Sequence, residues 1–222
     1  MTQRDFADKV VVITGAAGGL GQALARLFAA AGARIAALDR DVVGAEALVA
    51  ALHSEGRQAL GLGCDVTDAV ACERAMASVI ETWGSIDVLI NNAGISHRSA
   101  YIRTDPEVIR GVMEVNFFGS VHCTRAALNA LCKSRGLIIV ISSVAGFAPL
   151  IARTGYSAAK HALHGFFESL RTELVDDGVG VLMVCPSFID TGLDRNALGG
   201  DGQPARHEKQ IVGGRAQPEE VA

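Results

Sequence analysis

Aromatic side chains are scarce in this sequence: eight Phe, two Tyr and one Trp make up 5% of 222 residues. Half of the residues are hydrophobic, so a large core is still available, but Ala, Val, Leu and Ile must build it. Long apolar runs are also missing, and none approaches the roughly 20 residues of a membrane helix. The stretch Met1 to Lys9 is charged and has no apolar segment of the signal-peptide kind. A cytoplasmic protein is the expectation. No sign of charge dominates, since 20 basic and 24 acidic residues leave a net charge of −4. That balance gives no reason to expect nucleic acid or an anionic membrane as a partner. Cysteine pairs are absent too. Cys64, Cys72, Cys123, Cys132 and Cys185 are odd in number and form no CxxC, which argues against a disulfide framework and against zinc. Reduced cytosolic thiols are expected. The six histidines show no metal-ligand spacing with acidic partners, so no metal is expected, and His161 and His164 read as surface or interface residues. There is no internal repeat and no Pro-rich linker, and the length suits one domain, 1–222.

What the sequence does have is alternation. Short β-branched runs at Val10–Thr14, Arg34–Asp39, Ala59–Val66, Val88–Asn91, Leu137–Ser142 and Val179–Cys185 are apolar without a period of two. Such runs suit strands covered on both faces of a parallel sheet. Helical patterns lie between them: Leu20–Ala31, stopped by Gly32, then Val42–Glu55 and Ala69–Trp83. Thr104-Asp105-Pro106-Glu107 reads as a capping box opening a long helix towards Leu131. From about Ser157 to Val175, Leu163, Phe166, Phe167, Leu170 and Leu174 form one apolar stripe at helical period. Strand–helix alternation with right-handed crossovers predicts an α/β, doubly wound, Rossmann-like parallel sheet of strand order 3-2-1-4-5-6. The Gly-rich segment 194–217 reads as a mobile loop or disordered stretch, or, in an enzyme, a lid over the substrate.

The first strand runs into Thr14-Gly15-Ala16-Ala17-Gly18-Gly19-Leu20-Gly21. Glycines at such a turn let backbone N–H groups approach a pyrophosphate at a helix N-terminus. Glycines there also serve close helix–strand packing, so the turn alone leaves both readings open. Asp39 ends the second strand, where an acidic side chain accepts hydrogen bonds from the ribose of an adenosine. Its charge repels a 2′-phosphate and favours NAD. Arg40 beside it could pair with that phosphate, which keeps NADP in play. The competing role for Asp39 is capping the next helix, for which Asp41 is better placed.

Taken together, the motifs resemble the short-chain dehydrogenase/reductase family over nearly the whole chain. The Thr14–Gly21 turn matches its TGxxxGxG motif, with Gly15, Gly19, Leu20 and Gly21 on the cofactor. Asp65-Val66 matches the pair that contacts adenine, and Asn91-Asn92-Ala93-Gly94 matches the NNAG segment. Pro186 through Thr191 matches a PGxxxT segment, except that Ser187 replaces the usual Gly. Asn116, Ser143, Tyr156 and Lys160 match the catalytic Asn-Ser-Tyr-Lys set. The resemblance implies that Lys160 also binds the nicotinamide ribose, that Thr191 holds the carboxamide and that Asn116 anchors a water in a proton relay. It further implies a homodimer or homotetramer. Most members follow a helix like the one starting at Pro218 with a final strand. The sheet here is expected to end at the sixth strand with an exposed edge.

The chemistry fits these residue types. A free tyrosine, with a pKa of about 10, is a poor base at neutral pH. A neighbouring ammonium stabilises the phenolate. Tyr156 and Lys160, at i and i+4, share one helix face, as a general acid/base and its electrostatic partner require. A Ser143 hydroxyl at the end of the fifth strand can hold the substrate oxygen, with Ser142 as runner-up. The expected activity is hydride transfer between NAD(H) and a secondary alcohol or ketone. Substrate contacts are expected from Ile95, His97, Phe147, Ile151 and Phe188, with Ser96, Ala148 and Leu150 nearby. The set is mostly apolar, which favours a hydrophobic substrate. The segment Lys160–Arg171 looks more like members acting on steroid- or lipid-like alcohols than like ketoacyl reductases. Two alternatives remain: a non-catalytic dinucleotide-binding sensor or scaffold on the same fold, and a sugar-nucleotide epimerase or dehydratase, which usually needs a longer C-terminal substrate domain.

Overall fold

Val10 to Ile13 have no solvent exposure at all, because helices cover both faces of the strand they form. The computed structural model describes residues 5–205 and 215–222. Six strands, β1 (Val10–Thr14), β2 (Arg34–Asp39), β3 (Ala59–Gly63), β4 (Val88–Asn91), β5 (Leu137–Ile141) and β6 (Gly180–Val184), form one sheet. All neighbours are parallel and the order is β3-β2-β1-β4-β5-β6. The sequence therefore leads to the α/β, doubly wound arrangement. The strand order reverses between β1 and β4, and a crevice opens there at the C-terminal strand ends.

The helices are α1 (Gly19–Ala30), α2 (Val42–Ser54), α3 (Ala69–Trp83), α4 (Pro106–Met113), α5 (Gly119–Ser134), α6 (Thr154–Glu173), α7 (Gly192–Arg195) and α8 (Pro218–Val221). One core cluster joins the sheet to α3, α5 and α6, where the expected stripe buries Leu163 and Phe167 and packs Phe166 and Leu170 beside them. The other joins the sheet to α1 and α2, with Val221 and Ala222 packed against it. Few rings are needed, because Ala, Val and Ile at the strand–helix contacts let the layers approach closely.

Three local expectations are corrected. The third strand stops at Gly63 and not at Val66, because Asp65 Oδ1 accepts from both the amide and the hydroxyl of Thr67 and turns the chain into α3. Thr104 does not open a capping box. Its hydroxyl bonds Ala100 O, and Asp105 caps α4 by accepting from Glu107 N, with Pro106 in the first turn. The helix expected to run on towards Leu131 is interrupted by a π-turn at Glu114–Phe118 before α5. Of the Gly-rich segment, residues 206–214 lie outside the described residues. The earlier part is tied by backbone bonds from Leu198 N to Ser96 O (2.8 Å) and from Arg98 N to Leu198 O (2.7 Å).

Candidate active site

The turn after β1 is built around one hydroxyl. Thr14 Oγ1 accepts from Asn92 N and Ala93 N, both at 3.0 Å, and reaches Ile90 O. The Asn92 amide donates to Thr14 O and Gly15 O, so the loops after β1 and β4 are sewn together. Gly15 sits at φ +64°, and a Cβ there would lie 2.8 Å from Ala93 Cα. A Cβ on Gly21 would lie 2.3 Å from Gly15 O. Both glycines are thus demanded by close backbone approach, and the start of α1 is left open to the crevice.

Asp39 is not a helix cap. Its Oδ2 accepts from Ala17 N and its Oδ1 from Asp41 N, both at 2.9 Å, which fixes the carboxylate at the end of β2. Asp41 caps α2 through Gly44 N. The Asp65 carboxyl is held below its ordinary range, mainly by the two Thr67 bonds.

On the other side of the crevice, α6 starts at Thr154, earlier than the sequence pattern suggested, so Tyr156 lies within its first turn. Tyr156 and Lys160 are 7% and 5% exposed, and Lys160 Nζ lies 5.6 Å from the Tyr156 ring centroid. Lys160 Nζ donates to Ile141 O at 2.8 Å. Desolvation pushes its pKa down from 10.5 to about 8, with Cys185 acting weakly the other way. Ser143 follows β5, and its Oγ accepts from Ala145 N.

These groups share one cleft of about 680 Å³. Its floor is Gly15, Gly19, Leu20 and Gly21. The end near β2 and β3 carries Asp39, Arg40, Asp65 and Val66. Asn92, Ala93, Gly94 and Ile95 line the middle, and Ser143, Tyr156, Lys160, Pro186 and Thr191 the far end. Thr191 caps α7 through Leu193 N and stands over Gly19. A dinucleotide fits this set: the cleft runs from a carboxylate to a buried Tyr–Lys pair, over a helix start kept free of side chains. Among the described residues there is no cluster able to hold a metal ion.

Other residues named from the sequence lie elsewhere. Asn116 is 1% exposed inside the π-turn and sits behind the lining residues Gly94 and Ile95. Its Oδ1 accepts from Ile95 N (2.7 Å) and its Nδ2 donates to Ile95 O (2.9 Å). His97 is completely buried, so as a substrate contact it is misplaced. Phe147 and Ile151 are 64% and 98% exposed, out on the surface. Phe188 lines a small adjoining hollow with Ser143, Tyr156, Leu150 and Arg153. His164 is not a plain surface residue, because its Nε2 meets Ser142 Oγ at 2.9 Å behind the cleft wall. The sequence reading missed Thr14 as a hub and Arg153 as a buried cation bonded to Ser96 Oγ. Thr14 was detectable as the one hydroxyl at the end of β1. Arg153 had no local signal.

Known proteins share this arrangement. Residues 9–200 match the short chain dehydrogenase family. Dehydrogenase/reductase SDR family member 7B of Bos taurus is 42% identical over 200 residues, covering 87% of this chain. The chain spans 62% of that relative's length. Meso-2,3-butanediol dehydrogenase of Serratia marcescens is 37% identical over 217 residues, 98% of this chain and 85% of that protein. Among solved structures, a short-chain dehydrogenase/reductase from Burkholderia phymatum in complex with NAD superposes with a TM-score of 0.84 at 28% identity. The match covers 95% of this chain and 76% of that one. An alcohol dehydrogenase from Thermococcus sibiricus complexed with 5-hydroxy-NADP gives the same TM-score and identity over 96% and 86% of the two chains. The family match spans most of the sequence, and the glycine turn, the reversal of strand order and the Tyr–Lys pair all fall within it: this chain belongs to the short-chain dehydrogenase/reductase family.

Proposed function

We propose that the protein is an NAD-dependent oxidoreductase that interconverts a secondary alcohol and its ketone. The observation that carries this reading is the burial of Tyr156 and Lys160 side by side at the end of the cleft, with Ser143 beside them. In the oxidative direction Tyr156 takes the hydroxyl proton, and the carbinol carbon gives up its hydrogen with both electrons. The dinucleotide supplies the acceptor for that pair. Ser143 keeps an O–H to donate to the substrate oxygen while Ala145 N occupies an acceptor site on it. The Lys160 ammonium offsets charge on Tyr156, and its lowered pKa suits a group that also passes a proton near neutral pH. Asn116 acts at one remove, by fixing the backbone of Ile95.

Asp39 favours NAD over NADP by repelling a 2′-phosphate, and its two backbone bonds keep it in place to do so. The substrate end carries Ile95, Leu193 and Leu198, and Phe188 lies in the adjoining hollow, which suits a hydrophobic steroid- or lipid-like alcohol. A homo-oligomer working in the cytoplasm belongs to the same reading.

The test is fluorescence titration with NADH and NADPH, followed by turnover of apolar secondary alcohols by wild type and Tyr156→Phe. Tighter NADH binding that survives Tyr156→Phe, with turnover reduced by roughly 10²–10⁴-fold, is the expected result. Binding without turnover of any alcohol or ketone would favour the sensor reading. Full turnover by Tyr156→Phe would sink the proposed mechanism.

A further inference from the structure

The helix that carries Tyr156 and Lys160 begins at a residue that does not cap it. Arg153 occupies the N-cap position of α6 and makes no side-chain cap bond there. First-turn amides have no partner within their own helix. The amide of Gly155 finds one far away in sequence: it donates to His97 Nε2 at 2.9 Å. A Cβ on Gly155 would lie 3.1 Å from that same nitrogen and 3.2 Å from Ile109 Cγ2, so the glycine makes room for the ring. His97 has no solvent exposure. Burial first, and then the Arg153 charge, push its pKa below the ordinary 6.5. A neutral ring that accepts at Nε2 carries its hydrogen on Nδ1. The loop that holds His97 is itself anchored, by Ser96 Oγ to Arg153 and by the backbone of Ser96 and Arg98 to Leu198.

We infer that His97 is a positioning residue for Tyr156. Its Nε2 replaces the missing N-cap side chain of α6 and fixes the turn in which the next residue is the proton-transferring tyrosine. The inference rests on the proposed role of Tyr156. It gives a buried histidine that does not line the cleft a part in the reaction, because small displacements of an acid/base group are expensive in rate.

Two measurements test it. In the wild-type protein, the Gly155 amide should be protected from hydrogen exchange and the His97 ring ¹⁵N shifts should report an unprotonated Nε2. A Gly155 amide exchanging as fast as that of exposed Thr154, or a hydrogen on Nε2, would overturn the inference without any variant. The second measurement compares His97→Leu with His97→Asn. Asn is a favoured capping acceptor, whereas Leu fills the space with no acceptor. NADH affinity should be unchanged in both. The kcat of His97→Leu should fall by roughly ten- to a hundredfold, with most of the loss restored in His97→Asn. Equal kcat in all three proteins, or equal losses in the two variants, would reduce His97 to packing. Failure of the proposed function would look different: Tyr156→Phe would keep full turnover while Gly155 stayed protected.

Discussion

On the β1–β2 side the cleft is lined largely by Gly15, Gly18, Gly19 and Gly21, which present only backbone. On the β5–β6 side it is lined by the side-chain-bearing residues Ser142, Ser143, Tyr156 and Lys160. The first region needs glycines at 15 and 21 because neighbouring main chain lies within 2.8 and 2.3 Å of where a Cβ would be. Its polar side chains, Thr14, Asn92 and Asp39, mainly hold main-chain groups in place. The second region buries a cation, a phenol and a hydroxyl, and Ile141 O on β5 holds the cation. The difference is one of what can be substituted. A backbone site fails when a side chain is added or a holding bond is removed, and binding suffers. A side-chain site fails when one group is deleted, and chemistry suffers while binding persists.

The largest effect expected from this contrast is at Lys160. Lys160→Met should lower turnover by roughly 10²–10⁴-fold while leaving the glycine turn intact. It should not destabilise the fold at neutral pH. Because the pKa of Lys160 is lowered to about 8, the folded state holds fewer protons than the unfolded state from about 8 up to 10.5. Wild-type stability therefore rises with pH across that window, and the burial penalty is felt in full below it. Urea melts at several pH values should show Lys160→Met at least as stable as wild type at pH 7. The advantage should shrink as the pH rises towards 10.5. A variant that is less stable at pH 7 would mean that the bond to Ile141 O outweighs desolvation.

On the backbone side the order is reversed, with stability and binding lost before chemistry. Thr14→Val removes one oxygen and orphans the amides of Asn92 and Ala93. At roughly 1–3 kcal/mol for each unsatisfied buried donor, a loss of about 2 kcal/mol or more in unfolding free energy is expected. Thermal melts of Thr14→Val against Thr14→Ser, which keeps the oxygen, would isolate it. Gly21→Ala drives a methyl group into Gly15 O. An overpacking penalty of about 1–3 kcal/mol predicts NADH affinity weaker by roughly ten- to a hundredfold. If NADH bound Gly21→Ala as tightly as wild type, the turn would be softer than its contacts imply.

The same contrast explains what could be read from sequence. The strand order and the glycine turn follow from local patterns: apolar runs, a Gly at each close approach, an Asp at a strand end. The side-chain region depends on pairings across the chain. Nothing near His97 announces that its ring meets Gly155, and nothing near Arg153 announces Ser96. Asn116 was visible as a residue poorly suited to a helix. That it sits in a π-turn and bonds both backbone groups of Ile95 was not, because the extra residue in the turn is set by its tertiary partner. Thr104 and Asp105 show the limit at short range, where two adjacent capping residues compete and Pro106 in the first turn decides for the second.

The smallest and most discriminating effect concerns Asp39, a charged side chain at the end of β2 that holds two backbone amides and lines the cleft. Asp39→Asn keeps the shape but removes the charge, and it replaces one of two acceptor oxygens with an amide N–H2 donor. If the charge selects the cofactor, NADH binding should weaken by about tenfold, the difference between a charge-assisted and a neutral hydrogen bond. NADPH binding should strengthen, because the repulsion of its 2′-phosphate is gone while Arg40 remains beside it. If the carboxylate matters only as a tie for Ala17 N and Asp41 N, the turn should loosen and both cofactors should weaken alike. Paired titrations at one ionic strength separate these outcomes, since a geometric change moves the two affinities together and a charge change moves them apart. Asp39 then belongs with the backbone region if they fall together, and with the chemistry of recognition if they cross.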